Sequence, residues 1–214
     1  MDVHMKQLLI IISAALIFTA CGDDSNPASS ANSEYDATTN SLKDLRDGQT
    51  YKTVTIGSQT WMAENLNYEV DSSFCFSDEE RNCAKYGRLY RWAEATSVCP
   101  DGWHLPSKDE CNALFVAVGG ASTAGEALKS ASGWDWEGYT GNGIDSFGFS
   151  ALPGGSRSHE GRVCNSIGAC AYFWSSTEDS SGYAYAVYMS FHIDNANLES
   201  INMNHGLSVR CLKN

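Results

Sequence analysis

The sequence predicts an α+β domain with antiparallel sheets. Two helical segments, each opening on a Ser/Thr-x-x-Glu capping box, lie near the middle of the chain, and apolar residues at period two mark both ends. Nineteen glycines, six tryptophans and ten tyrosines in 214 residues imply many turns and long loops.

The chain opens on a leader. Residues 8–18 are an apolar run preceded by Lys6 and followed by Phe18-Thr19-Ala20-Cys21. A positive start, a short apolar stretch and small residues before a cut describe a secretory signal over residues 1–20. The run is about 11 residues, whereas a spanning helix needs ~20. Cys21 stands where the bacterial lipobox resemblance places a lipidated first mature residue, with Phe18 in place of the usual leucine. Met5 reads as a more natural start than Met1. The Gly-Asp-Asp-Ser after Cys21 resembles the surface-export signal of some outer-membrane lipoproteins. We therefore expect an outer-membrane lipoprotein, on the periplasmic side or the cell surface, held to the membrane by lipid.

Residues 23–41 are Ser, Asn, Ala, Asp and Thr with almost nothing apolar. Such a stretch buries too little surface to offset its ordering entropy. A flexible tether is expected over 21–43 and a folded domain over 44–214.

Within the domain, Asp47-Gly48 is a turn signal. The β-branched alternation over 50–56, the turn at Gly57-Ser58 and the run 59–62 read as a β-meander. A loop bounded by Cys75 and Cys83 follows, and residues 87–92 fit either a strand or a short helix. Pro106 precedes the capping box Ser107-Lys-Asp-Glu110; Cys111, Leu114, Phe115 and Val118 then share one helical face, and Gly119-Gly120 stops the helix. A second box, Thr123-Ala-Gly-Glu126, predicts a shorter helix to about residue 131. Beyond Gly133, alternation at Phe147, Phe149 and Ala151, at 183–191, and at Leu207, Val209 and Cys211 predicts strands.

Eight cysteines less Cys21 leave an odd number for an exported protein, hence a free thiol or an intermolecular bond. Spacing suggests Cys75 with Cys83, Cys164 with Cys170, and Cys99 with Cys211. The last would close a loop of about 110 residues, for which chain entropy gives ~4.7 kcal/mol at most. Cys111 remains, on the apolar helix face, where a thiol acts as a small hydrophobe. No Cys or His pair stands at zinc-ligand spacing. The net charge of −12 repels phosphate backbones and argues against a nucleic-acid partner.

Six stretches together resemble a known family: Gly57-Ser-Gln-Thr-Trp-Met-Ala-Glu-Asn-Leu66, Tyr86-Gly-Arg-Leu-Tyr-Arg-Trp92, Cys99-Pro-Asp-Gly-Trp-His-Leu-Pro-Ser-Lys-Asp-Glu110, Phe149-Ser-Ala-Leu-Pro-Gly-Gly155, Trp174-Ser-Ser-Thr-Glu178 and Ser208-Val-Arg-Cys-Leu-Lys213. The chain resembles the Fibrobacter succinogenes major paralogous domain from about residue 44 to its end. The family usually has Trp where this chain has Cys111, which accounts for the odd count and implies a free, packed thiol. The resemblance implies a C-type-lectin-like fold, two helices among antiparallel sheets with long disulfide-stapled loops, in an exported protein. It implies no defined activity.

In lectin-like folds ligands meet the long loops, here about 133–181. Trp134, Trp136 and Tyr139 lie there among glycines and are candidates for stacking on a glycan. Asp135, Glu137, Asp145, Glu178 and Asp179 are loop carboxylates that leave a structural calcium open. The Glu-Pro-Asn or Gln-Pro-Asp and Trp-Asn-Asp signatures of calcium-dependent lectins are absent, so no cofactor is expected. The histidines are scattered, and no Ser/His/Asp set emerges. The expected role is non-catalytic binding or adhesion at the envelope, to glycan or protein. An envelope protein with a structural or protein-contact role is the alternative. A third reading is an oxidase like the formylglycine-generating enzymes, which share the Leu-Pro-Ser/Thr-x-x-Glu helix start but need a reactive cysteine pair for copper.

Overall fold

Strand β1 (Ser33–Asp36), β2 (Ser41–Asp44), β3 (Thr50–Ile56) and β4 (Gln59–Met62) pair in succession as the predicted meander, with one more hairpin than expected. The computed structural model describes residues 31–158 and 166–214. The expected leader and the expected lipidation site, Cys21, lie outside those residues. The tether expected to reach residue 43 is corrected over 33–44, which form two paired strands. Few residues drive this. Leu42 and Asp44 are fully buried, Tyr35 meets Trp103 edge-on at 5.7 Å, and Asp44 takes a bidentate hold from Arg46 (2.8 and 2.6 Å). Composition alone hides such an arrangement, because two apolar side chains suffice once a neighbouring strand satisfies the backbone.

The chain then runs through β5 (Ser73–Phe74), a 3-10 turn (Phe76–Asp78) and α1 (Glu80–Tyr86). The loop expected between Cys75 and Cys83 is thus largely helical, and the predicted disulfide joins its ends. Residues left open between strand and helix supply both: β6 (Leu89–Tyr90) pairs with β5, and α2 (Trp92–Ala95) follows. Gly87 sits at φ 73, and a Cβ there would lie 2.7 Å from Asn65 Cβ. Only glycine admits so close an approach.

After β7 (Trp103–His104), α3 (Lys108–Ala117) forms as predicted. The Glu110 amide donates to Ser107 Oγ at 3.2 Å and the Ser107 amide to Glu110 Oε2 at 2.7 Å, completing the box. The second box does not form. Helix α4 (Ala121–Leu128) is capped by Gly120, and the Thr123 hydroxyl donates backwards to the Gly120 carbonyl. The Glu126 amide is claimed instead by the Asp194 carbonyl at 2.9 Å. Gly125 packs on the backbone at Asp194 and Asn195, leaving no room for a Cβ. The helix ends before residue 131 because the Ser130 amide turns to the Ala151 carbonyl at 3.0 Å.

A short hairpin, β8 (Asp135–Trp136) and β9 (Tyr139–Thr140), projects from the long loop. The strand expected at 147–151 is absent. Positive φ at Asp145, Gly148 and Ser150 breaks it, and Ala151 makes only a single bridge, to Lys129. A three-stranded sheet follows, β10 (Cys170–Ser180), β11 (Tyr183–Ser190) and β12 (Asn197–Asn202), in sequence order. β13 (Leu212–Lys213) returns to the first sheet, whose order is β1-β2-β3-β4-β13-β7. The alternation at Leu207, Val209 and Cys211 gives no strand of its own. All three are buried, and the segment bridges Tyr90 and Phe173 in different sheets.

Among the described residues the architecture is therefore mostly antiparallel sheet with four α-helices, where two were expected. One core gathers under β2, β3, β10 and β11 around Trp103, Tyr172 and Trp174. The other lies beneath α3 and α4 around Trp61, Phe115, Trp134 and Phe173. Cys99–Cys211 spans 112 residues and fastens the segment before β7 to the last strand. Cys170 is disulfide-bonded, and Cys164 lies outside the described residues. Cys111 is the free thiol among the described cysteines.

Candidate functional site

The six sequence stretches meet inside the molecule. Asn65 donates to the Tyr86 carbonyl (2.8 Å) and Ser208 Oγ (3.3 Å), and accepts from Arg210 Nε at 2.8 Å. Arg210 is 1% exposed and also donates to the carbonyls of Phe149 and Ser150. Its guanidinium lies 4.4 Å from the Phe149 ring centroid and 5.2 Å from that of Phe173. Burial pushes the Arg210 pKa down to about 9, against the opposing fields of Asp145 and Glu64. At neutral pH the charge persists, held by three acceptors and two aromatic faces.

Several other motif residues are consumed in the same way. Trp174, fully buried, donates from its indole to the Tyr90 carbonyl at 2.8 Å, and Trp92 donates to the Ser175 carbonyl at 2.8 Å. The Ser176 amide reaches the Pro106 carbonyl (2.9 Å), and Thr177 Oγ1 accepts from the Lys108 amide (3.0 Å). His104 bridges Glu110 (3.0 Å) and Asn214 (2.6 Å). Partial burial works to raise the Glu110 carboxyl, but hydrogen bonds from Ser107 and His104 outweigh it and hold the carboxyl below its ordinary range. The polar groups named here are spent on hydrogen bonds within the fold.

The loop aromatics part company. Trp134 is 0% exposed and donates from its indole to Ser130 Oγ (3.1 Å) and the Ala151 carbonyl (3.0 Å), with Lys129 Nζ 5.3 Å from its ring centroid. It is core, which corrects its place among the ligand-binding candidates. Trp136 and Tyr139 stand directly opposite on β8 and β9. Glu137 and Gly138 join them at φ 50 and 85, the geometry of a tight two-residue hairpin turn. Trp136 is half-buried, and Tyr139 is 70% exposed. Nearby in sequence, Ile144 is 61% exposed and Phe147 is also exposed. Backbone bonds hold this stretch to α4 and its end: the Gly143 amide to the Ser130 carbonyl (3.1 Å), Ile144 to Glu126 (2.9 Å) and Ser146 to Ala127 (3.0 Å).

The five loop carboxylates do not assemble as a set. Asp145 accepts from the Ser150 amide (2.7 Å) and hydroxyl (2.5 Å), Asp135 from Thr140 Oγ1 (2.8 Å), and Asp179 from Ser200 Oγ (2.7 Å). Hydrogen bonds from Tyr185 and Ser200 lower the Asp179 pKa. Glu137 and Glu178 are exposed. The one grouping of three potential ligand side chains among the described residues is Cys75, Glu80 and Cys83, whose sulfurs are already bonded to each other. The Cys111 thiol is 1% exposed, and burial pushes its pKa up to about 12.

Sequence reasoning missed a pocket of about 240 Å³ lined by Phe74, Arg91, Arg157, Ser158, Asn204 and Gly206. No local signal announces it, because its walls come from four separate stretches of chain. Among the described residues, no helix is long and apolar enough to cross a membrane.

No curated protein and no solved structure matches the chain. A model of the Fibrobacter succinogenes major domain matches residues 54–213, which takes in all six stretches and the Asn65–Arg210 cluster they build. By that match, the chain belongs to the Fibrobacter succinogenes major domain family.

Proposed function

We propose that the chain is an exported lipoprotein whose domain is a non-catalytic binding module at the bacterial envelope, contacting glycan through the Trp136–Tyr139 hairpin. The observation that carries this reading is the pairing of a half-buried Trp136 with a 70% exposed Tyr139 on a short, backbone-braced hairpin. A rigid aromatic with one buried neighbour offers a flat apolar face at small entropic cost. The C-type-lectin-like assignment belongs to the same proposal. It is supported by the long loop between α4 and β10, by the three-stranded sheet after it, and by the return of the C-terminal strand between β4 and β7.

The absence of catalysis is part of the proposal. The described thiols support it: Cys111 is buried with a raised pKa, and Cys75, Cys83, Cys99 and Cys211 are paired. Such thiols suit neither attack nor copper binding. The exposed Ile144 and Phe147 favour a second reading, protein contact at the envelope.

The test is a glycan-array screen of the purified full chain, with and without calcium. Binding that falls on Trp136→Ala or Tyr139→Ala supports the module and its surface. Binding untouched by both substitutions removes the hairpin from the reading. No glycan binding by folded, oxidised protein transfers the proposal to protein contact.

A further inference from the structure

We propose that the pocket between Arg91 and Arg157, floored by Phe74, binds an oxyanion: a sulfate, phosphate or carboxylate group. Arg91 carries the argument. Among the described arginines, Arg46, Arg81, Arg88 and Arg157 each reach a carboxylate, and Arg210 reaches carbonyls. Arg91 reaches none of these, and its guanidinium instead lies 5.6 Å from the Phe74 ring centroid. Arg91 is solvent-exposed, and among the described residues its guanidinium meets no carboxylate, so its donors are open to an incoming anion.

The pocket is built rather than incidental. Arg157 lies 4.2 Å from the same Phe74 ring centroid, so one aromatic ring contacts both guanidiniums. The Arg157 amide donates to the Gly206 carbonyl (2.8 Å) and the Gly206 amide to the Arg157 carbonyl (2.9 Å), fixing one wall. A Cβ on Gly206 would come within 3.1 Å of Arg157 Cβ, a tight contact, so the two stretches of backbone pack closely here. Among the described residues, the pocket lining contains no carboxylate. Asp78 pairs with Arg157 from outside that lining. Both side chains of that pair are well exposed, and such pairs contribute about 0–1 kcal/mol, so an incoming anion displaces Asp78 at little cost. Two planar guanidiniums supply forked donors that match an oxyanion's geometry. About 240 Å³ suits one such group rather than a whole cofactor.

This site is separate from the Trp136–Tyr139 hairpin and stands or falls independently of it. The experiment uses the full chain titrated with dextran sulfate and, in parallel, with uncharged dextran. Dextran sulfate is expected to bind, weakening as salt rises, while dextran does not bind. Arg91→Gln and Arg157→Gln should each weaken binding at least tenfold with unchanged circular dichroism, whereas Arg81→Gln, which removes an exposed charge elsewhere, should leave it as it was. Inorganic sulfate that competes at millimolar concentration identifies a free anion as sufficient ligand. Failure to compete assigns the site to anions carried on a larger molecule. No binding to dextran sulfate, or binding equal in wild type and Arg91→Gln, overturns the proposal, as does an equal loss in Arg81→Gln.

Discussion

The Asn65–Arg210 cluster and the Trp136–Tyr139 hairpin treat their side chains in opposite ways. In the cluster every polar group is answered: Arg210 meets Asn65 and two carbonyls, and Asn65 meets Tyr86 and Ser208. On the hairpin, only the backbone and Asp135 are engaged, and Tyr139 is turned to solvent. The first arrangement stabilises the fold and has no spare valence for a ligand. The second adds little to stability and keeps its aromatic surface free. The Asn65–Arg210 residues, among the most recognisable of this chain, are thus ones holding it together, and the exposed aromatic surface of the hairpin lies outside the shared stretches.

Substitutions should separate these regions. The largest effect is expected from Arg210→Met. It leaves Asn65 Oδ1 and the carbonyls of Phe149 and Ser150 without their donor. Each orphan costs about 1–3 kcal/mol, so urea unfolding should show a loss of at least ~3 kcal/mol. A loss under ~1 kcal/mol would mean that the cluster does not bear the fold. Trp134→Ala comes next, at about 3–5 kcal/mol, as a fully buried indole is removed. The same change at Trp136, half-buried two residues away, should cost much less.

Glu110 gives a smaller effect with a pH signature. Its folded pKa lies below the ordinary value, so its contribution is complete above the unfolded pKa near 4.5 and is lost as pH falls through the folded value. Glu110→Gln should flatten the acid limb of the stability profile below about pH 4.5. The change at pH 7 should be about 1 kcal/mol or less, since the carboxyl is partly screened by solvent. Identical acid limbs in the two proteins would remove Glu110 from the account. The smallest stability effect is expected at Tyr139→Ala, within ~0.5 kcal/mol of wild type. A larger loss there would move the hairpin from contact surface to scaffold.

The chain writes two Ser/Thr-x-x-Glu boxes, and only one forms. At Ser107 the partners lie three residues apart and nothing else competes, so a local rule predicts the geometry. At Thr123 the same pattern is overridden, because the Asp194 carbonyl, 68 residues on, takes the Glu126 amide. The loop tryptophans divide the same way. Trp134 and Trp136 are alike in composition and setting, and neither spacing nor neighbours says which one finds Ser130 and Ala151 beneath it. The hairpin of β1 and β2 was hidden in a polar stretch because its order depends on a sheet edge and on Trp103, both distant in sequence.

What the sequence determined by itself was the antiparallel α+β character, the α3 start, the Cys75–Cys83 and Cys99–Cys211 pairs, the packed Cys111 and the family. The family rests on the six resembling stretches, and the others on short-range periodicity, capping chemistry or cysteine spacing, which act over a few residues or leave few alternatives. Tertiary structure alone decided the order of residues 33–44, which tryptophan is core, and the meeting of Arg91 with Arg157 over Phe74. Those outcomes depend on which distant backbone groups and apolar surfaces come together, and no local pattern records that.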